Sequence, residues 1–234
     1  MADREDMVYR AKLWEQAERW QAMVSCMKQV GEMGRELTVE ERNLLSVAYK
    51  NMVGSRRSAW RIVTSAEQKA ADGSETRQAA KWLREKVETE MKEMCGEVLE
   101  LLDKNLIPRT SESNTESLVF YQKMKGDYLR YQAEISEGDE RDDMVTKTKK
   151  SYKKAQEKAA ELQPTNPIRL GVALNFSVFH YEVRNDPTEA SRLAQKAFDD
   201  ALAELDTLQE DSYKDSTLIM QLLQENATRW ASEN

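Results

Sequence analysis

The 234-residue chain has little cysteine, proline or glycine, and it lacks a long apolar run. Two cysteines, Cys26 and Cys95, are too few for a disulfide framework or a metal cluster. Four prolines and eight glycines leave long stretches of helix-favouring residues, which argues against a strand-rich fold. No segment approaches the roughly 18 consecutive apolar residues of a membrane-spanning helix. The first segment, MADREDMVYRAKLWEQ, lacks the apolar core of a signal peptide. We therefore expect a soluble, intracellular protein without membrane insertion.

Residues that commonly carry catalysis are also scarce. His180 is the only histidine, and no glycine-rich phosphate loop or HExxH motif accompanies it. We therefore predict no catalytic residue, no metal and no cofactor, and we interpret His180 as a packing residue. The formal net charge of -7 argues against nucleic acid as a partner, because counterion release requires an extended basic surface.

The prolines, glycines and polar turns divide the chain into about nine helices. Short links between long helices favour antiparallel packing in an all-α array, as one large domain or two smaller ones. Thr38 is expected to cap the third helix, and Pro167 to occupy the first turn of the seventh. The predicted helices cover residues 3–17, 20–33, 39–70, 75–104, 115–136, 141–161, 167–184, 187–205 and 212–232.

Two of these helices carry aligned basic residues in an otherwise acidic chain. Lys50, Arg57 and Arg61 have i, i+7, i+11 spacing, which places them within about 20° of one line along a helix. Lys123 and Arg130 repeat the seven-residue spacing, and a tyrosine follows the arginine. Arginine matches two phosphate oxygens at once and lysine adds a point charge. The pattern predicts a local phosphate site, although for each residue alone a solvated helix charge is the alternative.

Two further helices combine an apolar stripe with one asparagine. An amide can donate to and accept from the backbone of an extended peptide, while apolar side chains pack against its side chains. A core stripe with a polar edge is the alternative for each helix alone. The stripes consist of Leu174, Asn175, Val178 and Glu182 in the seventh helix, and of Leu218, Ile219, Leu222, Asn226 and Trp230 in the last.

Four blocks of the sequence, in order, closely resemble the 14-3-3 family. They are ERNLLSVAYKNMVGSRRSAWRIV, FYQKMKGDYLRYQAE, PIRLGVALNFSVFHYEV and AFDDALAELDTLQEDSYKDSTLIMQLLQEN, and the resemblance covers essentially the whole chain. It implies one all-α domain over residues 1–234, a cup-shaped protomer of nine antiparallel helices with an amphipathic groove. It also implies a non-enzymatic adaptor that binds phosphoserine or phosphothreonine segments of client proteins and regulates client activity, conformation or localisation. A generic helical scaffold that binds unphosphorylated peptides is the alternative.

The resemblance also implies roles for individual residues. The phosphate would be bound by Lys50, Arg57, Arg130 and Tyr131. The peptide-binding groove would be lined by Arg61, Lys123, Leu174, Asn175, Val178, Glu182, Leu218, Ile219, Leu222, Asn226 and Trp230. The expected location is the cytoplasm, and the nucleus is left open as a second compartment.

A dimer is implied as well, in which the first two helices of one protomer pack on the third and fourth of its partner. Residues 1–33 and 55–90 would contribute this interface, and Arg19 and Glu90 match a salt bridge between subunits. We expect a homodimer, with heterodimers of related isoforms left open. The implied interface residues are Leu13, Trp14, Ala17, Arg19, Ala59, Val63, Leu83, Lys86 and Glu90.

The sequence departs from the family pattern at this interface. The acidic residue that usually pairs with Lys86 is replaced by Ala22, so that one ion pair is missing. Trp14 occupies a position that is usually small, and Leu83 one that is usually tyrosine. Aromatic side chains dominate interface energetics, so we expect Trp14 to compensate for the missing charge pair.

Overall fold

The computed structural model describes residues 2–208 and 210–232, which form nine α-helices and contain no β-strand. This confirms the all-helical prediction, and every predicted helix end lies within three residues of the observed one. Within the described residues, no helix is long and apolar enough to cross a membrane. The helices are α1 Ala2–Gln16, α2 Trp20–Glu32, α3 Val39–Lys69, α4 Glu75–Leu101, α5 Thr115–Glu134, α6 Gly138–Ala159, α7 Pro167–Glu182, α8 Pro187–Leu202 and α9 Tyr213–Ala231.

Several helix starts are fixed by side-chain caps. The Thr38 hydroxyl accepts a hydrogen bond from the Glu41 backbone N–H, and the Glu41 carboxylate accepts one from the Thr38 N–H, which completes a capping box at α3. Pro167 stands at the start of α7, as the sequence predicted. Other side chains that accept from backbone N–H groups of the first helical turn are those of Ser74, Asn114, Asn166 and Asp186.

Two of the helix ends that differ from the sequence prediction have a structural explanation. Helix α4 ends at Leu101, and the chain continues as a π-helical turn over Leu102–Leu106. Leu102 and Leu106 are buried, so this turn keeps both leucines in the core after the regular helix has ended. Helix α6 begins earlier than predicted, at Gly138, whose φ of 55° lies in the left-handed region that glycine adopts readily.

The helices group into two compact units, of which the first runs to Arg109 and contains α1–α4. A half-buried carboxylate ties three of its helices together, because Glu97 on α4 accepts hydrogen bonds from Tyr49 Oη on α3 at 2.7 Å and from Lys28 Nζ on α2 at 2.8 Å. Helix α1 is joined to α3 by Arg4, whose Nε and Nη2 lie 2.7 and 2.6 Å from the two carboxylate oxygens of Glu41. We call this part the N-terminal unit.

The second unit begins at Thr110 and contains α5–α9. Helix α7 is central, since it packs against α5, α6, α8 and α9. One part of the core is aromatic: the Tyr152 ring stacks on Phe176 at 5.5 Å and lies 5.9 Å from Phe179. A second part joins α7 to α9, where Tyr181 stacks on the buried Trp230 at 4.9 Å. We call this part the C-terminal unit.

Candidate functional site

Helix α3 carries the first predicted set of cations on the N-terminal unit. Lys50 and Arg61 are exposed, and Arg57 is half-buried. Within the described residues, neither Lys50 nor Arg61 forms an ion pair. The Lys50 ammonium and the Arg61 guanidinium can therefore bind an external anion without first breaking an ion pair within the described residues.

This helix is held firmly against α4. Trp60 Nε1 donates to Glu88 Oε1 at 2.9 Å. Arg84 donates from Nε to Glu67 Oε2 at 2.6 Å and from Nη1 to Glu88 Oε1 at 2.9 Å. The network joins two residues of α3 to two of α4, so the cations of α3 are presented from an anchored helix.

Arg130 on α5 has very different surroundings from the cations of α3. It is only 5% exposed, and its Nε donates to Tyr152 Oη at 3.3 Å. Its Nη1 lies 3.5 Å from Glu134 Oε1 and 3.6 Å from Glu182 Oε2. The guanidinium carbon lies 4.9 Å from the centre of the Tyr131 ring. The predicted phosphate-binding arginine is thus a buried, fixed cation stacked on the predicted phosphate-binding tyrosine.

Burial would by itself lower the pKa of Arg130, but the effects of Tyr152, Tyr131 and Asp127 outweigh it and raise the pKa. The guanidinium therefore stays charged although water is largely excluded from it. A cation in such surroundings attracts an anion more strongly than an exposed one does, because the local dielectric constant is low.

Asp127 on α5 accepts hydrogen bonds from three helices. Its Oδ2 lies 2.8 Å from Lys123 Nζ, and its Oδ1 lies 2.5 Å from Tyr152 Oη on α6 and 2.7 Å from Asn175 Nδ2 on α7. Burial would raise the pKa of this carboxyl, but the nearby Lys123 and Arg130 more than offset that effect and hold the pKa below its usual value. The carboxylate is therefore ionised, and it already neutralises much of the Lys123 charge.

The apolar residues predicted on α7 and α9 form a half-exposed surface over one core cluster. Leu218 is 57% exposed and Leu222 is also exposed. Leu174, Val178 and Ile219 are partly buried and pack against the core that contains Leu170, Met220, Leu223 and Trp230. Helix α9 therefore presents exposed leucine side chains above a packed core. Helix α7, which packs against the same core, carries Asn175.

Two other predicted groove residues have partners inside the C-terminal unit. Trp230 is 1% exposed, so its indole lies in the core behind the surface and offers no open face in this structure. Asn226 is half-buried, and its Oδ1 accepts a hydrogen bond from Arg229 Nη2 at 3.1 Å.

The predicted dimer residues of the N-terminal unit include exposed apolar side chains. Trp14 is 39% exposed, and Leu13 and Leu83 are exposed as well. Sequence reasoning did not single out Tyr9, Ile62 and Trp82, which are also exposed. Large apolar side chains that remain exposed to solvent are common at interaction surfaces. The remaining predicted members are the exposed Ala17, Arg19, Lys86 and Glu90 and the half-buried Ala59 and Val63.

Two charged members of the predicted dimer residues have contacts within the chain. Glu90 Oε2 accepts from Arg56 Nε on α3 at 3.1 Å. Lys86 Nζ lies 5.7 Å from the centre of the Trp82 ring, a cation–π contact one helical turn away. The lysine whose usual acidic partner is missing from the sequence thus rests on an aromatic face.

Sequence reasoning missed two residues that lie at the centre of the C-terminal unit's polar cluster. Asp127 follows Lys123 by four residues, and this spacing alone could have indicated their ion pair. Tyr152 lies on α6, and its contact with Asp127 joins residues 25 positions apart. No local pattern predicts a contact of that kind.

A sequence model of the family described as 14-3-3 protein matches residues 10–231. The chain belongs to the 14-3-3 family. Among curated relatives, 14-3-3 protein zeta of Bombyx mori is 60% identical over 232 residues, covering 99% of this chain and 93% of the relative. The 14-3-3-like protein 2 of Caenorhabditis elegans is 59% identical, covering 98% and 92%. The human 14-3-3 protein beta/alpha is 56% identical, covering 99% and 94%.

Members of the 14-3-3 family are adaptors rather than enzymes, and they bind phosphoserine or phosphothreonine segments of client proteins. They also form dimers. Membership at this identity and coverage confirms the predicted function of the chain as a phosphorylation-dependent adaptor, and it disfavours a scaffold for unphosphorylated peptides.

Proposed function

We propose that this 14-3-3 chain binds the phosphate of a client segment through Lys50, Arg57, Arg130 and Tyr131. A phosphomonoester carries about -1.5 to -2 charges at pH 7, which two arginines, one lysine and a phenol can balance. The observation that carries the proposal is the buried Arg130 guanidinium, which is held in its charged form and stacked on Tyr131. A buried, charged arginine in a chain of net charge -7 supports a role in binding an anion.

We propose that the rest of the client segment lies along α7 and α9. Leu218 and Leu222 would pack against its side chains, since both are exposed above a firm core. Asn175 and Asn226 would bond its backbone, which makes binding tolerant of sequence. Peripheral contacts are assigned to Arg61, Lys123, Leu174, Val178, Glu182 and Ile219, with Trp230 supporting them from the core.

One synthetic peptide, prepared with serine and with phosphoserine, tests this proposal. Charge-assisted hydrogen bonds contribute roughly 1.5–3 kcal/mol each, so losing several of them should weaken binding at least about a hundredfold. Fluorescence anisotropy measures both dissociation constants. Equal affinities for the two peptides would show that the site does not read phosphate.

Lys50→Glu tests the assignment of residues. We expect the variant to lose phosphopeptide binding while its circular dichroism spectrum remains helical, and we expect the same of Arg57→Ala. Lys69→Glu is the matched control, because it makes the same charge change at the far end of the same helix and should leave binding intact. Undiminished binding by both Lys50→Glu and Arg57→Ala would remove α3 from the proposed phosphate site.

We further propose that the exposed apolar surface of the N-terminal unit forms a homodimer interface. Its exposed leucines and Trp14 support the proposal, as does dimer formation in the family. We place the protein in the cytoplasm, as is general for the family. A nuclear fraction is a separate proposal, which cell fractionation with an antibody against the chain would test.

A further inference from the structure

Two buried residues behind the α5–α7 surface, Asp127 and Tyr152, contact the groups assigned to ligand binding. Tyr152 is fully buried, and Asp127 is buried as well. We propose that Asp127 and Tyr152 are positioning residues, which set the orientation of the Arg130 guanidinium and of the Asn175 amide for phosphopeptide binding. This inference rests on the proposed function, since Arg130 and Asn175 are the groups assigned to the ligand.

The Tyr152 hydroxyl connects Arg130 to Asp127 in a fixed direction. A phenol has one proton to donate, and its short 2.5 Å contact with Asp127 Oδ1 uses that proton, because a carboxylate can only accept. The oxygen lone pairs then face Arg130 Nε, which donates at 3.3 Å. Arg130 therefore donates to Tyr152, and Tyr152 in turn donates to Asp127.

This series of hydrogen bonds determines which nitrogens of the Arg130 guanidinium remain for a ligand. Because Nε is bonded to Tyr152, the terminal nitrogens Nη1 and Nη2 are the ones that remain to contact a ligand. One of them, Nη1, faces the carboxylates of Glu134 and Glu182 at 3.5 and 3.6 Å. These distances are longer than those of a close ion pair, so a phosphate could compete for the same nitrogen.

Asp127 fixes the Asn175 amide by the same reasoning. Because an ionised carboxylate only accepts, the Asn175 atom that lies 2.7 Å from Asp127 Oδ1 must be the nitrogen. The amide oxygen is then turned away from Asp127 and is presented as an acceptor. A backbone N–H of an extended peptide is the group that such an acceptor would bind, and without Asp127 the amide could turn over.

The close approach of Tyr152 to α5 depends on Gly126. A Cβ atom added at Gly126 would lie 2.7 Å from the Tyr152 ring, closer than real Cβ contacts occur. On its other sides the ring is packed by Phe176 and Phe179. The glycine therefore admits the ring, and the ring brings its hydroxyl between Asp127 and Arg130.

Tyr152→Phe tests the inference, because it removes one hydroxyl and keeps the ring. We expect phosphopeptide affinity to fall roughly tenfold, the scale of one hydrogen bond to a charged group. Ser151→Ala is the matched control: Ser151 is buried in the same α5–α6 interface and donates to the Gln122 carbonyl at 2.8 Å, away from Asp127. We expect this control to bind like the unaltered chain.

A double-mutant cycle separates positioning from a merely structural role. If Tyr152 acts through Arg130, Tyr152→Phe should weaken binding little further in an Arg130→Lys background. Fully additive losses would contradict the inference. The NMR signal of the Arg130 Nε–H gives a second readout, which should shift in Tyr152→Phe and stay in place in Ser151→Ala.

The outcomes distinguish this inference from the proposed function. If the unaltered chain binds serine and phosphoserine peptides equally, the proposed function fails. If it prefers phosphoserine while Tyr152→Phe matches Ser151→Ala, only the positioning role fails. If Tyr152→Phe loses its helical spectrum, Asp127→Asn replaces it, because that variant retains the ring. Normal affinity of the folded Asp127→Asn would overturn the inference.

Discussion

Replacing Gly126 by alanine should destabilise the protein, although the same change in most helix interiors is stabilising. Alanine is favoured over glycine by up to about 1 kcal/mol inside a helix. At Gly126, however, the new methyl group would lie 2.7 Å from the ring of Tyr152, which is fully buried. The ring cannot retreat without disturbing Phe176 and Phe179 and lengthening its bond to Asp127.

The steric cost of the new methyl group exceeds the gain in helix propensity, so the net change in the free energy of unfolding should be a loss. Overpacking of a core costs about 1–3 kcal/mol, and a weakened hydrogen bond adds about 1 kcal/mol. Against a helix gain of at most about 1 kcal/mol, we expect a net loss of roughly 1–3 kcal/mol in the free energy of unfolding.

Gly96→Ala provides the control, since Gly96 lies within α4 and a Cβ there would meet no atom within 4 Å. Thermal unfolding at one fixed protein concentration should place Gly126→Ala below the unaltered chain and Gly96→Ala at or above it. For a chain of this size each kcal/mol corresponds to about 2–4 °C, so the variants should melt several degrees apart. An unchanged or raised Tm for Gly126→Ala would refute the steric argument.

Two further predictions concern acid stability and assembly. Burial is the largest cause that lowers the pKa of His180 below 6.5, with Arg184 reinforcing and Glu189 opposing it. Because the unfolded chain then binds more protons, the free energy of unfolding should fall as the pH drops through 6.5 towards the folded-state pKa. Urea titrations of His180→Phe should show a weaker fall, and an identical pH dependence would exclude this histidine as the cause. Trp14→Ala should shift sedimentation towards the monomer while Tyr213→Ala, which trims an exposed aromatic side chain on α9, should not; a Trp14→Ala dimer of unchanged affinity would contradict the proposed interface.

The sequence predicted the helices well because their ends depend on local chemistry. Thr38 and Pro167 act on the residues next to them, so a cap or a proline marks a helix start without knowledge of the fold. The end of α4 was harder, because the π-helical turn that follows it serves the burial of Leu102 and Leu106, which is a tertiary requirement.

The candidate site shows the same division between local and tertiary information. The spacing of Lys50 and Arg57 on one helix, and of Lys123 and Arg130 on another, identified the cations. It did not reveal that Arg130 is buried while Lys50 is exposed. Nor could any spacing show that Tyr152 closes the network, because α6 meets α5 only in the folded chain. Resemblance to a family therefore predicts the residues that contact a ligand more readily than the residues that hold those side chains in position.

The bond between Arg56 and Glu90 bears on how two copies of the chain would associate. In a dimer that pairs Arg19 with Glu90, the carboxylate would exchange one guanidinium for another, so the net electrostatic gain would be small. Cohesion would then come mainly from Leu13, Trp14 and Leu83, and added salt would do little to separate the subunits. Partner choice among related subunits would accordingly follow steric fit around the bulky indole rather than charge.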